Sequence, residues 1–161
     1  MFPLYHAMGS TNPGYLIILG HDGTTPRVYI CRGLTNTVVT SFPTPSGVAS
    51  ILGVTHDSNG NIVISTGGYA VTNRCYVLDG LSSTVDHDFS LGILGTRGIT
   101  NILGDLLVAR EYPNKQLRWY DGFTNSYNGN LGAPDDFPFG LSVGAERILS
   151  TSRTAPGKYY V

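Results

Sequence analysis

Charge is the first thing this 161-residue chain has little of: Asp, Glu, Lys and Arg make up 13% of it, about half the usual share. Lysine occurs only at Lys115 and Lys158, and glutamate only at Glu111 and Glu146. Ten basic residues against eleven acidic ones give a formal net charge of -1, which excludes a broad electrostatic grip on nucleic acid or on an anionic bilayer. Cysteine is scarce as well. Cys31 and Cys75 supply neither a metal-ligand pair nor a disulfide framework, and both read as reduced, buried core residues. No basic segment precedes an apolar run at the N-terminus, so no secretory signal is expected. The longest apolar stretches, such as Leu16-Ile17-Ile18-Leu19, fall far short of the ~20 residues a membrane helix needs. These absences predict a soluble protein without membrane insertion, cytoplasmic or virion-borne.

Helical periodicity is also missing. Glycine or proline interrupts almost every stretch, and no window repeats apolar side chains at spacings of three and four. What recurs is a short β-branched or aromatic run followed by a turn cluster, as at Leu16–Leu19, Ile62–Ile64, Leu106–Val108 and Ile148–Leu149. The chain is therefore expected to be all-β.

Three landmarks repeat in one order. Arg32-Gly33-Leu34-Thr35, Asp79-Gly80-Leu81-Ser82 and Asp121-Gly122-Phe123-Thr124 share a charged residue, a glycine, a large apolar residue and a hydroxyl, at steps of 47 and 42. Tyr15, Asn61, Asp105 and Glu146 open the short apolar strands, at steps of 46, 44 and 41. Gly53-Val54-Thr55, Gly98-Ile99-Thr100 and Gly140-Leu141-Ser142 precede these openings. Three series at one period predict four units of roughly 42–47 residues, a length typical of one four-stranded propeller blade. The approximate blades are 1–42, 47–89, 96–130 and 138–161, within a single domain spanning 1–161. In the second unit the strands are expected at Ile51–Thr55, Ile62–Ser65, Cys75–Leu78 and Val85–Phe89. Weak polar/apolar alternation suits strands covered on both faces by neighbouring blades, and favours a β-propeller over a β-sandwich.

The stretch His56-Asp57-Ser58-Asn59-Gly60-Asn61-Ile62-Val63-Ile64-Ser65, followed by Arg74-Cys75-Tyr76-Val77-Leu78-Asp79, resembles one blade of an NHL-type β-propeller. In that family an Asp-rich turn ending in Gly-Asn leads into the second strand. The resemblance implies a propeller fold. It implies no function, since propellers serve as lactonases, lectins, scaffolds and protein-binding platforms.

The last blade is expected to lack its outer strand, leaving Tyr159-Tyr160-Val161 at an edge. Two closures remain open: one chain as a four-bladed ring, or two chains sharing an eight-bladed ring.

No constellation of reactive groups stands out. His6 and His56 occupy corresponding places in the first two units, but Asn101 and Val143 take that place in the others, so no metal is expected on the axis. Asp57-Ser58-Asn59-Gly60-Asn61 begins like a calcium loop but has Ile62 at the sixth position and Gly68 at the twelfth, so it reads as a hairpin turn. No Gly-x-Ser-x-Gly turn occurs, and Gly92–Gly98 lacks the following helix that a phosphate cradle needs, reading instead as a flexible link between blades. Asp135-Asp136 reads as a solvated connection, and Trp119 as core, its place taken by Ile30, Val77 and Tyr160 elsewhere. No enzymatic activity and no cofactor are expected.

Surface recognition remains. The loops between second and third strands repeat least, and in a propeller they share one end with the links to the next blade. Tyr69, Arg97, Tyr112, Asp135 and Arg153 are the candidate binding residues there. The expected function is a non-enzymatic structural or interaction module that binds a protein partner or copies of itself as a homo-oligomer, in an assembly such as a virion. The alternatives are a lectin-like, glycan-binding propeller and a propeller-type hydrolase such as a lactonase.

Overall fold

The structure is a computed structural model describing residues 7–11, 15–23, 25–35, 37–48, 50–67, 72–111, 114–132, 138–144, 147–152 and 159–160, with side chains between 15 and 132. Fifteen strands and no helix occur among them. They are β1 (Ala7–Thr11), β2 (Tyr15–Asp22), β3 (Thr25–Arg32), β4 (Val38–Pro43), β5 (Ile51–His56), β6 (Ile62–Thr66), β7 (Arg74–Leu78) and β8 (Val85–Ser90). The series continues with β9 (Thr96–Ile102), β10 (Asp105–Arg110), β11 (Gln116–Tyr120), β12 (Tyr127–Gly132), β13 (Pro138–Gly144), β14 (Arg147–Ser152) and β15 (Tyr159–Tyr160). They form four antiparallel meanders in sequence order: β1–β4, β5–β8, β9–β12 and the three-stranded β13–β15. The chain is all-β, built from sheets that resemble propeller blades.

First strands lie against one another in series, β1 on β5, β5 on β9 and β9 on β13, and no contact of comparable extent joins β13 to β1 among the described residues. The sheets therefore stack as neighbouring blades do, without a closed ring being formed by these strands.

Consecutive apolar residues are explained by that stacking. Ile62 and Ile64 face the first sheet, in a core with Ile17, Leu19, Val28, Ile30, Phe42 and Leu78. Val63 points the other way, into a second core with Cys75, Val77, Phe89, Leu106, Val108 and Tyr120. Leu107 and Ala109 turn away from that core into a third cluster with Leu117. A strand buried on both faces has no reason to alternate. The outermost strands differ: β8 and β12 are mostly exposed.

Gly53 sits where two first strands meet. A Cβ there would lie 2.6 Å from Ser65 Oγ, 2.9 Å from Ile99 Cγ1 and 3.0 Å from the Ile99 nitrogen. Each of β5, β9 and β13 also has a bulge one residue before its glycine, since the register shifts between Ile51 and Gly53, between Thr96 and Gly98, and between Pro138 and Gly140. The extra residues are Leu52, Arg97 and Phe139.

Four expectations need correction. Gly92–Gly98 is no flexible link. Leu91 and Ile93 are buried in the second core, the Leu91 and Asn73 nitrogens donate to Asn73 O and Ile93 O at 2.9 Å, and Thr96–Gly98 belongs to β9. Trp119 is not core: it is 38% exposed, and its Nε1 donates to Asp105 Oδ2 at 2.8 Å. Ile30 and Val77 are fully buried at the matching places, but register aligns Tyr160 with Arg118, not Trp119. Counted from the bulge, the residue matching Asn61 and Asp105 in the fourth sheet is Arg147, one past Glu146, which lies outside the described residues.

Candidate functional site

The two ends of the stacked sheets are built differently. One end carries the turns from third to fourth strand, and its chemistry repeats. In each of the first three sheets the residue before the glycine donates its N–H across the turn: Arg32 to Thr37 O, Asp79 to Thr84 O and Asp121 to Ser126 O, at 3.1, 2.8 and 2.9 Å. Gly33, Gly80 and Gly122 each have φ of 58°, in the left-handed region that glycine adopts without steric cost. Two residues on, a hydroxyl closes the turn: Thr35, Ser82 and Thr124 donate to the carbonyls of Arg32, Asp79 and Asp121 at 2.6, 2.8 and 2.7 Å. The same hydroxyls accept from the nitrogens of Thr37, Thr84 and Ser126. The recurring charged-Gly-apolar-hydroxyl sequence is thus a self-sufficient turn.

Strand-opening residues lock it to the sheet. Gly80 N donates to Asn61 Oδ1 at 3.0 Å, and Gly122 N to Asp105 Oδ1 at 2.8 Å. The Asp57 turn lies at this end too. Asp57 is 7% exposed; its Oδ1 accepts from the Asn59 and Asn61 nitrogens at 2.8 Å, and its Oδ2 from Asn61 Nδ2 at 2.9 Å. Those bonds make it a turn organiser. Between sheets, Asn101 N donates to Thr55 Oγ1 at 3.0 Å and Asn101 Nδ2 to His56 O at 2.8 Å.

The opposite end gathers the links between sheets and the loops from second to third strand. Matched backbone bonds hold it: Gly67 N donates to Ser50 O at 3.2 Å, and Glu111 N to Gly95 O at 2.9 Å. Its side chains do not match. Register places His21, Gly67 and Glu111 at one equivalent position, beside the bulged residues Leu52 and Arg97 in the second and third sheets. In the second sheet Leu52 lies so close over Gly67 that no Cβ would fit. In the third, Arg97 and Glu111 take those two places and form an ion pair between side chains only 16% and 6% exposed. Of the five candidate binding residues, Arg97 is placed here with its guanidinium turned to Glu111. Tyr69, Tyr112, Asp135 and Arg153 lie outside the described residues.

A groove that sequence reading missed runs along the outer seam between the second and third sheets. One part, about 330 Å³, is lined by Ser90, Leu91, Gly92, Arg118, Tyr120, Asn125 and Tyr127. A second part, about 450 Å³, shares Ser90 and Asn125 with it and adds Arg74, Asp88, Phe89, Phe123 and His87. Arg118 was passed over because the far wall of its groove, Ser90–Gly92, comes from the second sheet and its link. The available signal was the β10–β11 hairpin, which brings Arg110 and Arg118 to one face without an acid between them.

The seam holds several shifted groups. A hydrogen bond to Asp86 is the main cause raising the His87 pKa above its usual value, opposed by burial and helped by the Phe123 carbonyl 3.2 Å from Nε2. Burial raises the Tyr120 phenol, which donates to Leu91 O at 2.5 Å, and burial also pushes up the Cys75 thiol. Arg110 is lowered, first by burial and then by the charge of Arg118. Cys31 and Cys75 are both free and buried. Among the described residues no three His, Cys, Asp or Glu side chains gather as a metal-binding group, and no helix is long and apolar enough to cross a membrane.

The chain matches no family model, and no curated protein matches it. Its likeness is to solved structures. A glutaminyl cyclase from Myxococcus xanthus is 13% identical, with 93% of this chain covering 62% of that one at a TM-score of 0.68. A protein of unknown function from Bacteroides caccae is also 13% identical, with 93% of this chain covering 53% of that one at 0.63. The WD40 β-propeller domain of Doa1 is 13% identical, with 91% of this chain covering 47% of that one at 0.59. The chain thus spans about half to two-thirds of the length of these structures. At such identities the likeness defines a propeller-like all-β shape and does not single out NHL-type blades.

Proposed function

We propose that this chain is a non-catalytic interaction module of β-propeller type, which binds a protein partner or further copies of itself through the end bearing the second-to-third-strand loops. The observation that carries this reading is the contrast between ends. The turn end repeats a self-satisfied frame three times, whereas the loop end puts His21, Gly67 and Glu111 at one equivalent position. A rigid frame presenting dissimilar side chains suits recognition of an asymmetric surface. A per-blade ligand site would instead ask for the same groups in each blade. Tyr69, Tyr112, Asp135 and Arg153 are the proposed contact residues, and Arg97, paired with Glu111, lies at the same end.

Site-specific photo-crosslinking tests this. A photoreactive residue at 69, 112 or 153 is expected to give discrete adducts in the cells that make the protein, at multiples of the chain mass if the partner is another copy. The same residue at the exposed turn positions Leu34 and Leu103 is expected to give none. Adducts from Leu34 and Leu103 alone would overturn the assignment.

A further inference from the structure

The outer groove carries an inference separate from the loop end. Arg27, Arg74 and Arg97 each hold a carboxylate, from Asp22, Asp88 and Glu111. Arg118 does not. Among the described residues its guanidinium lies over a neutral group, the Tyr127 ring, whose centroid is 4.8 Å from the guanidinium carbon. Its Nε is buried and has no hydrogen-bond acceptor among the described residues. A guanidinium oriented by a ring, with an unmet donor, is arranged for a fork-shaped anion.

The strand beside it indicates what brings that anion. β12, Tyr127–Gly132, is the outermost strand of its sheet and reads Tyr-Asn-Gly-Asn-Leu-Gly, without a charge or a proline to discourage pairing. The outer strand β8 carries Asp86 and Asp88, and β4 ends in Pro43. β12 therefore offers backbone groups to an extended chain, and Arg118 reaches over Tyr127 toward that edge.

We propose that the groove at Ser90, Arg118, Asn125 and Tyr127 binds an extended acidic peptide segment, whose carboxylate pairs with Arg118 while its backbone lies along β12. The probe is acetyl-AVEVA-amide, titrated against the isotopically labelled full chain, with the Arg118 Nε–H and Tyr127 resonances followed by NMR. Saturable shifts at both residues are expected, with at least a tenfold weaker response to acetyl-AVQVA-amide. Arg118→Gln should abolish the response. Arg118→Lys, which keeps the charge and serves if the glutamine variant folds poorly, should weaken it severalfold. Equal response to both peptides, or none to either, overturns the proposal. Tighter binding of free glucuronate than of the acidic peptide also overturns it, because the carboxylate would then belong to a sugar.

Discussion

Arg97 and Glu111 show how one position can be filled by opposite chemistries. The second sheet uses Leu52 over Gly67, and the third uses a buried ion pair at the same two places. Removing one partner strands a charge at low exposure, which costs about 3 kcal/mol, while an apolar replacement of the pair is often neutral. Arg97→Leu and Glu111→Gly should each destabilise by roughly that amount. The double variant, which copies the second sheet, should cost at least ~1 kcal/mol less than the sum. Denaturant titration of the four proteins measures the difference, and simple additivity would show the side chains to be uncoupled. His87 provides a second check. Its pKa is raised in the folded state above the ordinary 6.5, so its contribution is full below that value and is lost as pH rises through the folded pKa. The melting-temperature gap between wild type and His87→Gln should thus be larger near pH ~5.5 than near ~8.5. A gap that widens with pH would reverse the assigned interaction with Asp86.

Among elements, the closing turn is the unit most fully written in the sequence. Its glycine, hydroxyl and strand-opening Asn or Asp were visible as spacings, and the structure gives each a bond. Asp105 accepts from both Gly122 N and Trp119 Nε1, so Asp105→Ala should cost about 2 kcal/mol. Asp105→Asn keeps an acceptor for Gly122, as Asn61 does for Gly80, and should cost about half that or less. Equal losses in thermal unfolding would show that the bond to Gly122 contributes little. Gly53→Ala tests the close approach of first strands: the added methyl meets Ser65 and the Ile99 backbone, and should cost about 2–3 kcal/mol. A melting temperature unchanged by that substitution would mean that β5 and β9 do not approach so closely. Spacing misplaced the fourth strand-opening residue because the turn between first and second strands varies. It spans residues 57–61 in the second sheet but only 103–104 in the third. Trp119 shares its register position with the fully buried Ile30 and Val77, but it is exposed and its indole is bonded to Asp105, a difference the spacing does not carry.

For the whole molecule, four copies of one pattern made the all-β class and the sheet order legible, because each copy checks the others. The outer groove was not legible. Ser90 and Arg118 come from different sheets, and only the stacking of the second sheet on the third brings them to one seam. The loop-end contrast was half legible: irregular loops could be seen, but the Leu52–Gly67 and Arg97–Glu111 exchange depends on bulges that displace the register by one residue. All these placements rest on the serial packing of first strands, β1 on β5 on β9 on β13. Its most direct test is a nuclear Overhauser measurement across one seam of the full chain. Strong cross-peaks are expected from the Gly53 α-protons to the Ile99 amide and from the Asn101 side-chain amide to His56, together with Asn61 to Gly80 within the sheet. Finding the Asn61–Gly80 cross-peak while both Gly53–Ile99 and Asn101–His56 are absent would contradict the serial packing, leaving four sheets that do not stack as blades.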